Sequence, residues 1–325
     1  MAKALEIKKP AKEKRQLANA NRKKTLLLLS MVAPGAIWLL LLRYLPMAGI
    51  VMAFQDYKLY FKDPTFINNL IHSKFVGFKN FEFLFATSDT WVMVRNTLCY
   101  NFVFIVLGLV ISVAFAIMIN ELTSKFAAKF YQTLMFFPYF LSWVVASYFL
   151  QAFLDPTRGL LVHLMERWGM APVDFYNTTG PWPFILTLCN VWKNTGYSAI
   201  LYLAAITGID ASEYEAASID GASKWKQICY ITLPHLKTMM IMLFIMNVGK
   251  IFCSDFGLFF NVPMQSGPLF PVTQVVDTYV YRAMMTTQNY GMSTAAGLLQ
   301  NLVGFVCIMI ANGIVNKLDP DSALF

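Results

Sequence analysis

The chain has 325 residues, 57% hydrophobic and only 14% charged, with a mean hydropathy of +0.53. That balance excludes an ordinary soluble domain and points to an integral membrane protein. The net charge of +8 does not signal a nucleic-acid surface, because residues 1–24 hold nine Lys/Arg against Glu6 and Glu13, which is +7 of the total. A basic tail ahead of an apolar run suits a cytoplasmic leaflet of anionic head groups.

A spanning helix needs about 20 mostly apolar residues. Six runs qualify, at 25–46, 97–120, 131–153, 183–208, 237–260 and 295–316, so the predicted fold class is an all-α integral membrane protein with six transmembrane helices. The first run is longer than the roughly 7–15 residues of a signal-peptide core and is expected to be retained. With the amino terminus inside, inner segments carry fifteen Lys/Arg and outer segments nine, Lys193 and Lys250 lying within spans. Both termini are then cytoplasmic, residues 209–236 face the cytoplasm, and three outer segments lie near 47–96, 154–182 and 261–294. Cys99, Cys189, Cys229, Cys253 and Cys307 are scattered without pairing, and His72, His163 and His235 form no metal-binding pattern. No metal site and no catalytic cluster is expected.

The inner segment differs from everything around it. Asp210, Glu213, Glu215 and Asp220 are followed by Gly221, two lysines and Pro234. Asp210 with Glu213 forms a capping-box-like helix start, Gly221 offers a positive-φ stop, and Ser223 can cap a second short helix. Tyr214, Ala217, Ser218 and Gly221 fall on one helix face with Ala216 beside them. Apart from Tyr214 that face is small and smooth, with Glu213, Glu215 and Asp220 around it. An amphipathic helix resting on lipid usually carries Lys/Arg on its polar side, so a helix docked by another protein is the better reading.

Glu215-Ala216-Ala217, then Gly221, then Ile231-x-Leu233-Pro234 matches all seven specified positions of the EAA loop, and on this basis the chain resembles the permease subunits of ABC importers. Phe75-Val76-Gly77-Phe78-Lys79-Asn80-Phe81 is similar to a stretch found in sugar permeases, and RYLPMAGIVMAFQDY resembles the polysaccharide branch of the maltose-type family. The resemblance implies a basic cytoplasmic tail (1–24), a peripheral first helix (25–46), an external segment (47–96), a five-helix core (97–316) and a cytoplasmic carboxy-terminal tail (317–325). It also implies that the loop at 209–236 carries a cytoplasmic coupling helix between spans 4 and 5. There Glu215 would meet a basic residue of a partner ATPase, Ala216 and Ala217 would permit close packing, and Gly221 would make the bend. The implied partners are a second homologous permease, two ATP-binding subunits and an extracytoplasmic solute-binding protein, in a bacterial cytoplasmic membrane. No phosphate-binding loop occurs in this sequence. The expectation is a transport subunit, not an enzyme, with no cofactor of its own, ATP and Mg being bound by the partner ATPase subunits.

Polar residues within spans are costly and tend to face cavities or each other. Asn190, Lys193 and Tyr197 share a face of the fourth span, Asn247, Lys250 and Ser254 repeat that spacing in the fifth, and Gln300 and Asn301 lie in the sixth. These eight residues are candidates for a substrate path. Structural pairing of the lysines and interhelical bonding of the amides are the competing reading. If both lysines line the path, an anionic cargo such as a uronate oligosaccharide (alginate-like) fits better than a neutral sugar. A self-contained secondary transporter is the alternative function, but it would show internal repeats and midplane carboxylates. No inverted repeat is found, and Asp255 is the single acid well within a span.

Overall fold

The computed structural model describes residues 11–58, 65–82 and 88–324, with side chains from Lys24 onward except Ser88. It falls into two units, residues up to Met52 and Ala53–Phe325. In the first unit, α1 (Ala11–Leu39) continues through a π turn (Leu40–Tyr44) into 3-10 geometry. The helix therefore begins well before residue 25, inside the stretch expected to be a tail, whose basic side chains up to Lys23 lie outside the described residues. Leu26, Met31, Trp38 and Leu42 are all exposed.

The second unit opens with a two-stranded antiparallel sheet, β1 (Gln55–Asp56) against β2 (Lys74–Phe75), with α2 (Phe66–His72) between them. The Asn80 amide donates to the carbonyls of Ala53 (3.0 Å) and Gln55 (2.8 Å), and Gly77 takes a φ of 62° to turn the chain there. The Phe75–Phe81 motif is thus a backbone staple.

Then come α3 (Ser88–Asn120), α4 (Lys125–Phe136), α5 (Trp143–Leu154), α6 (Leu160–Arg167), α7 (Trp182–Ile206), α8 (Ala211–Ile219) and α9 (Lys224–Gln227). A π turn (Ile228–Thr232) joins α9 to α10 (Leu233–Val248), and α11 (Phe256–Asn261), α12 (Phe270–Thr273), α13 (Val276–Thr287) and α14 (Tyr290–Leu318) follow. At about 1.5 Å per residue, α3 is long enough to cross a bilayer with turns to spare. Four helices among the described residues are long and apolar enough to span: Lys24–Phe54, Asp89–Asn120, Lys224–Val248 and Tyr290–Leu318.

Three sequence expectations change. The run at 131–153 is no straight helix: Lys125–Phe140 and Trp143–Leu154 meet at 100°, a broken span or re-entrant loop that raises the count to five. The run at 237–260 ends at Val248, and the chain is non-helical until Asp255 caps α11. Finally, the second short helix expected in the loop at 209–236 is the start of the next candidate span itself, since a π turn and then Pro234 are carried within one helix from Lys224 to Val248. The run at 183–208 is a single 25-residue helix, α7, whose polar residues leave it outside the four most apolar helices.

α3 packs along α7. At one end Tyr100, Trp143, Trp182, Leu258, Phe259 and Val275 form one core, and at the other Val113, Ala116, Tyr202, Ile206 and Leu236 form a second. Close approach is set by two glycines: a Cβ at Gly196 would overlap the Met135 carbonyl, and one at Gly304 the Gly249 carbonyl. Gly313 has open space around it. Gly304→Leu is therefore expected to destabilise the detergent-solubilised protein by at least the ~1–3 kcal/mol typical of overpacking, while Gly313→Leu leaves its thermal midpoint unchanged. Equal midpoints would contradict the packing described.

Candidate functional site

The inner hairpin is built around its turn. Asp210 caps α8 by accepting from Ser212 N (3.0 Å), and this bond holds its carboxyl below the usual carboxylate range. Glu213 does not complete the expected capping box; it pairs with His235 Nε2 at 3.4 Å. Gly221 takes a φ of 74° with open space about it, so its requirement is conformational. Tyr214 OH meets Thr232 Oγ1 at 2.9 Å, and Gln227 Nε2 donates to Ser218 Oγ at 2.9 Å.

The orientation of α8 therefore differs from expectation. Tyr214 and Ser218, on the small-residue face, are turned toward the chain's own following helix, with Ala217 half-buried beside them. The face left outward carries Ser212, Glu215, Ala216 and Ile219, with Asp220 at its edge, all exposed. Ile219 is 87% exposed, an apolar side chain that the chain itself does nothing to cover.

The second region is a chamber of about 500 Å³ among α3, α7 and α10. Asn190, Tyr197, Asn247, Lys250 and Ser254 all line it, as the path reading requires. They share it for a different reason from the one expected. The helix stops at Val248, so Asn247, Lys250 and Ser254 do not form one helical stripe; the last two reach the chamber from the non-helical segment. Thr195 Oγ1 and Ser254 Oγ, both in its wall, are buried without a hydrogen-bond partner. Both oxygens are closed off in the packed wall, so each carries an unmet hydrogen bond there.

That non-helical segment is held by side chains from four other helices. Asn101 of α3 donates to the carbonyls of Ile251 (2.8 Å) and Cys253 (3.1 Å). Gln300 of α14 donates to the Phe252 carbonyl (3.0 Å) and to Asp277 Oδ2 (3.2 Å), and Asp277 of α13 accepts from Ser254 N (2.8 Å). Trp143 of α5 donates from Nε1 to Asp255 Oδ2 (2.7 Å). Burial pushes the Asp277 carboxyl upward against the pull of its two donors.

Lys193 does not line the chamber. It is buried, and its Nζ donates to the carbonyls of Tyr139 (2.9 Å), Pro138 (3.4 Å) and Leu141, at the 100° bend. The Pro138 carbonyl also accepts from Leu141 N (3.1 Å); at the carbonyl end of a broken helix the cation supplements that bond and serves the carbonyls of Tyr139 and Leu141. Its neighbour Tyr139 stacks on Tyr197 at 4.6 Å between ring centroids. Gln300 lies outside the chamber too, beside a second cavity of about 360 Å³ that Asp277 and Tyr281 also line. Asn301 is exposed and bonds back to the Gly297 carbonyl (2.7 Å). Sequence reasoning passed over Asn101, Asn194, Thr195 and Asp277, and noted Asp255 only as a lone acid within a span. Asn101 was open to the same polar-in-span rule had it been applied to the second run.

Long apolar helices beside a cavity whose wall carries amide, hydroxyl and charged side chains, next to a broken span, have the anatomy of a solute-translocating membrane component. The pattern of the family described as "binding-protein-dependent transport system inner membrane component" matches residues 105–321, and the chain belongs to that family. It is 32% identical over 311 residues to the polygalacturonan/rhamnogalacturonan transport system permease protein YteP of Bacillus subtilis (strain 168), covering 96% of this chain and 94% of that one. Identity is 28% over 238 residues to the sn-glycerol-3-phosphate transport system permease protein UgpA of Shigella flexneri, covering 73% and 78%. Among solved structures, it is similar to a chain of a bacterial ABC transporter involved in the import of the acidic polysaccharide alginate. There the TM-score is 0.80 with 30% identity, over 92% of this chain and 98% of that one. A further match is the alginate transporter in complex with a periplasmic protein bound to an alginate pentasaccharide (TM-score 0.80, 29% identity, 92% and 97%).

Lys193→Met removes a donor from three carbonyls, of which Pro138 keeps Leu141 N–H, at about 1–3 kcal/mol for each one left unpaired. It is expected to lower the thermal midpoint of the purified protein, whereas Lys250→Met leaves it unchanged. A Lys193→Met variant as stable as the wild type would contradict the assigned role.

Proposed function

We propose that this chain is a translocating subunit of an ATP-driven ABC importer that moves an oligo- or polysaccharide across the cytoplasmic membrane. It is multi-pass with both termini inside. The bent α4–α5 pair counts as one crossing and α7 as another, making six, with the first helix peripheral to a core of five. α8 is the coupling helix, presenting Glu215, Ala216 and Ile219 to a cleft in a partner ATPase while Tyr214 and Ser218 keep it bonded to the fifth span and Gly221 makes the turn. ATP and Mg belong to two such partners. A second permease completes the path, and a solute-binding protein delivers the cargo.

The observation that carries this reading is the asymmetry of α8: its inner side is bonded to the chain, and its outer side leaves Ile219 uncovered. The chamber supports it, offering Asn190, Tyr197 and Asn247 to sugar hydroxyls and ring faces. With Lys193 turned to the bend, an acidic cargo is favoured in this subunit by Lys250 alone, and Asp255 lines the same chamber. The relatives' acidic polysaccharides support such a cargo.

In the assembled importer, Glu215→Ala and Gly221→Val are expected to abolish solute-stimulated ATP hydrolysis while the chain stays inserted, the second because a β-branched residue resists positive φ. Undiminished stimulation in both would count against the coupling role. Lys250→Met should slow uptake of an oligogalacturonide more than that of a neutral malto-oligosaccharide of equal length, and equal slowing would remove the acidic cargo.

A further inference from the structure

The residues after α14 fold back onto the fifth span. A 3-10 turn (Pro320–Ser322) brings Asp319 Oδ2 to Lys237 Nζ at 2.7 Å. Ser322 Oγ donates to the same carboxylate oxygen (2.9 Å), lies 3.3 Å from Thr238 Oγ1, and is itself buried. Leu324 N then donates to Oδ1 of Asn312, a buried side chain of α14 (2.7 Å). The tail is thereby fastened to two helices, α10 through Lys237 and Thr238, and α14 through Asn312.

Its attachment point on α10 adjoins the residues that hold the hairpin. Thr232 takes Tyr214, His235 takes Glu213, and Lys237 takes Asp319, all within about two helical turns. Farther along, α10 and α14 meet again. Gly304 lies against the Gly249 carbonyl, and Gln300 holds the Phe252 carbonyl of the non-helical segment. The two helices are fastened at the hairpin end by the tail and at the chamber end by Gly304 and Gln300.

We propose that the tail, through Asp319 and Lys237, is a brace that makes α10 and α14 one lever, so that movement of the coupling hairpin reaches both helices at the chamber. This rests on the reading of α8 as the coupling helix. Asp319 and Lys237 are positioning residues: neither touches solute, and a solvent-accessible ion pair of this kind adds little to folding stability. Its contribution is geometric and is lost when the pair is broken, whatever the solute.

The test uses the complete importer in proteoliposomes with its solute-binding protein, measuring oligogalacturonide taken up per ATP hydrolysed. Asp319→Lys and Lys237→Glu should each lower that ratio at least fivefold with little change in thermal midpoint, and the double exchange should restore it to within twofold of the wild type. If either single variant assembles poorly, Asp319→Asn, which removes only the charge, should still lower the ratio at least twofold. A wild-type ratio in the assembled single variants, or a double variant no better than they are, overturns the brace. Glu215→Ala measured alongside separates the two readings. If it uncouples and Asp319→Lys does not, the brace alone fails; if neither uncouples, the coupling helix fails with it.

Discussion

A peptide group outside a helix and away from water must find a hydrogen-bond partner within the protein, since each one left unpaired in an apolar medium costs several kcal/mol. Residues 249–255 interrupt the helix that begins at Lys224, and their carbonyls at 251, 252 and 253 and the amide at 254 are met by Asn101, Gln300 and Asp277. A continued helix would pair those carbonyls with the amides four residues on and the 254 amide with the carbonyl of 250. Supplying partners from neighbouring helices lets the segment stay open and form a wall of the chamber. The bend between α4 and α5 obeys the same rule, with one buried ammonium serving three carbonyls.

The two breaks are not independent. Trp143, which opens α5 just after the bend, donates to Asp255, which closes the interruption before α11, and Lys193 lies 5.4 Å from the Trp143 ring. The aromatic faces of Tyr139 and Tyr197 stack between the bend and the chamber. Bend, interruption and chamber wall are thus one connected arrangement, reached from the hairpin by a single helix. That helix carries Thr232 and His235 at one end and Asn247 at the other.

Family and outline were legible in the sequence because they rest on local signals. Seven positions of the inner hairpin, the Asp210 and Ser223 caps and the Gly221 turn all lie within 25 residues, and the long apolar runs announce themselves by composition. The interruption at 249–255 was illegible because Lys250 and Ser254 fall at helical spacing from Asn247 and so resemble a polar stripe on a continuing span, and what holds it comes from residues as far off as Asn101 and Gln300. Lys193 was misassigned to the path for a related reason. Helical spacing correctly put it on a face with Asn190 and Tyr197, yet a long side chain bends toward whichever acceptors are near, and the Pro138–Leu141 carbonyls exist only because the preceding helix breaks. On α8 helical spacing grouped Tyr214 with the small residues but could not show that Tyr214 and Ser218 bond to the chain's own next helix, since Thr232 and Gln227 come near only when the hairpin closes.

The central claim is that this chain moves solute only when driven by an ATPase gripping its exposed hairpin. Its most direct test is uptake of a labelled oligogalacturonide into proteoliposomes holding this chain and its partner permease, with the solute-binding protein outside, with and without the ATP-binding subunits and enclosed ATP. The account predicts concentrative uptake only when the ATP-binding subunits and ATP are both present. Concentrative uptake without them, driven by an ion gradient, would contradict it.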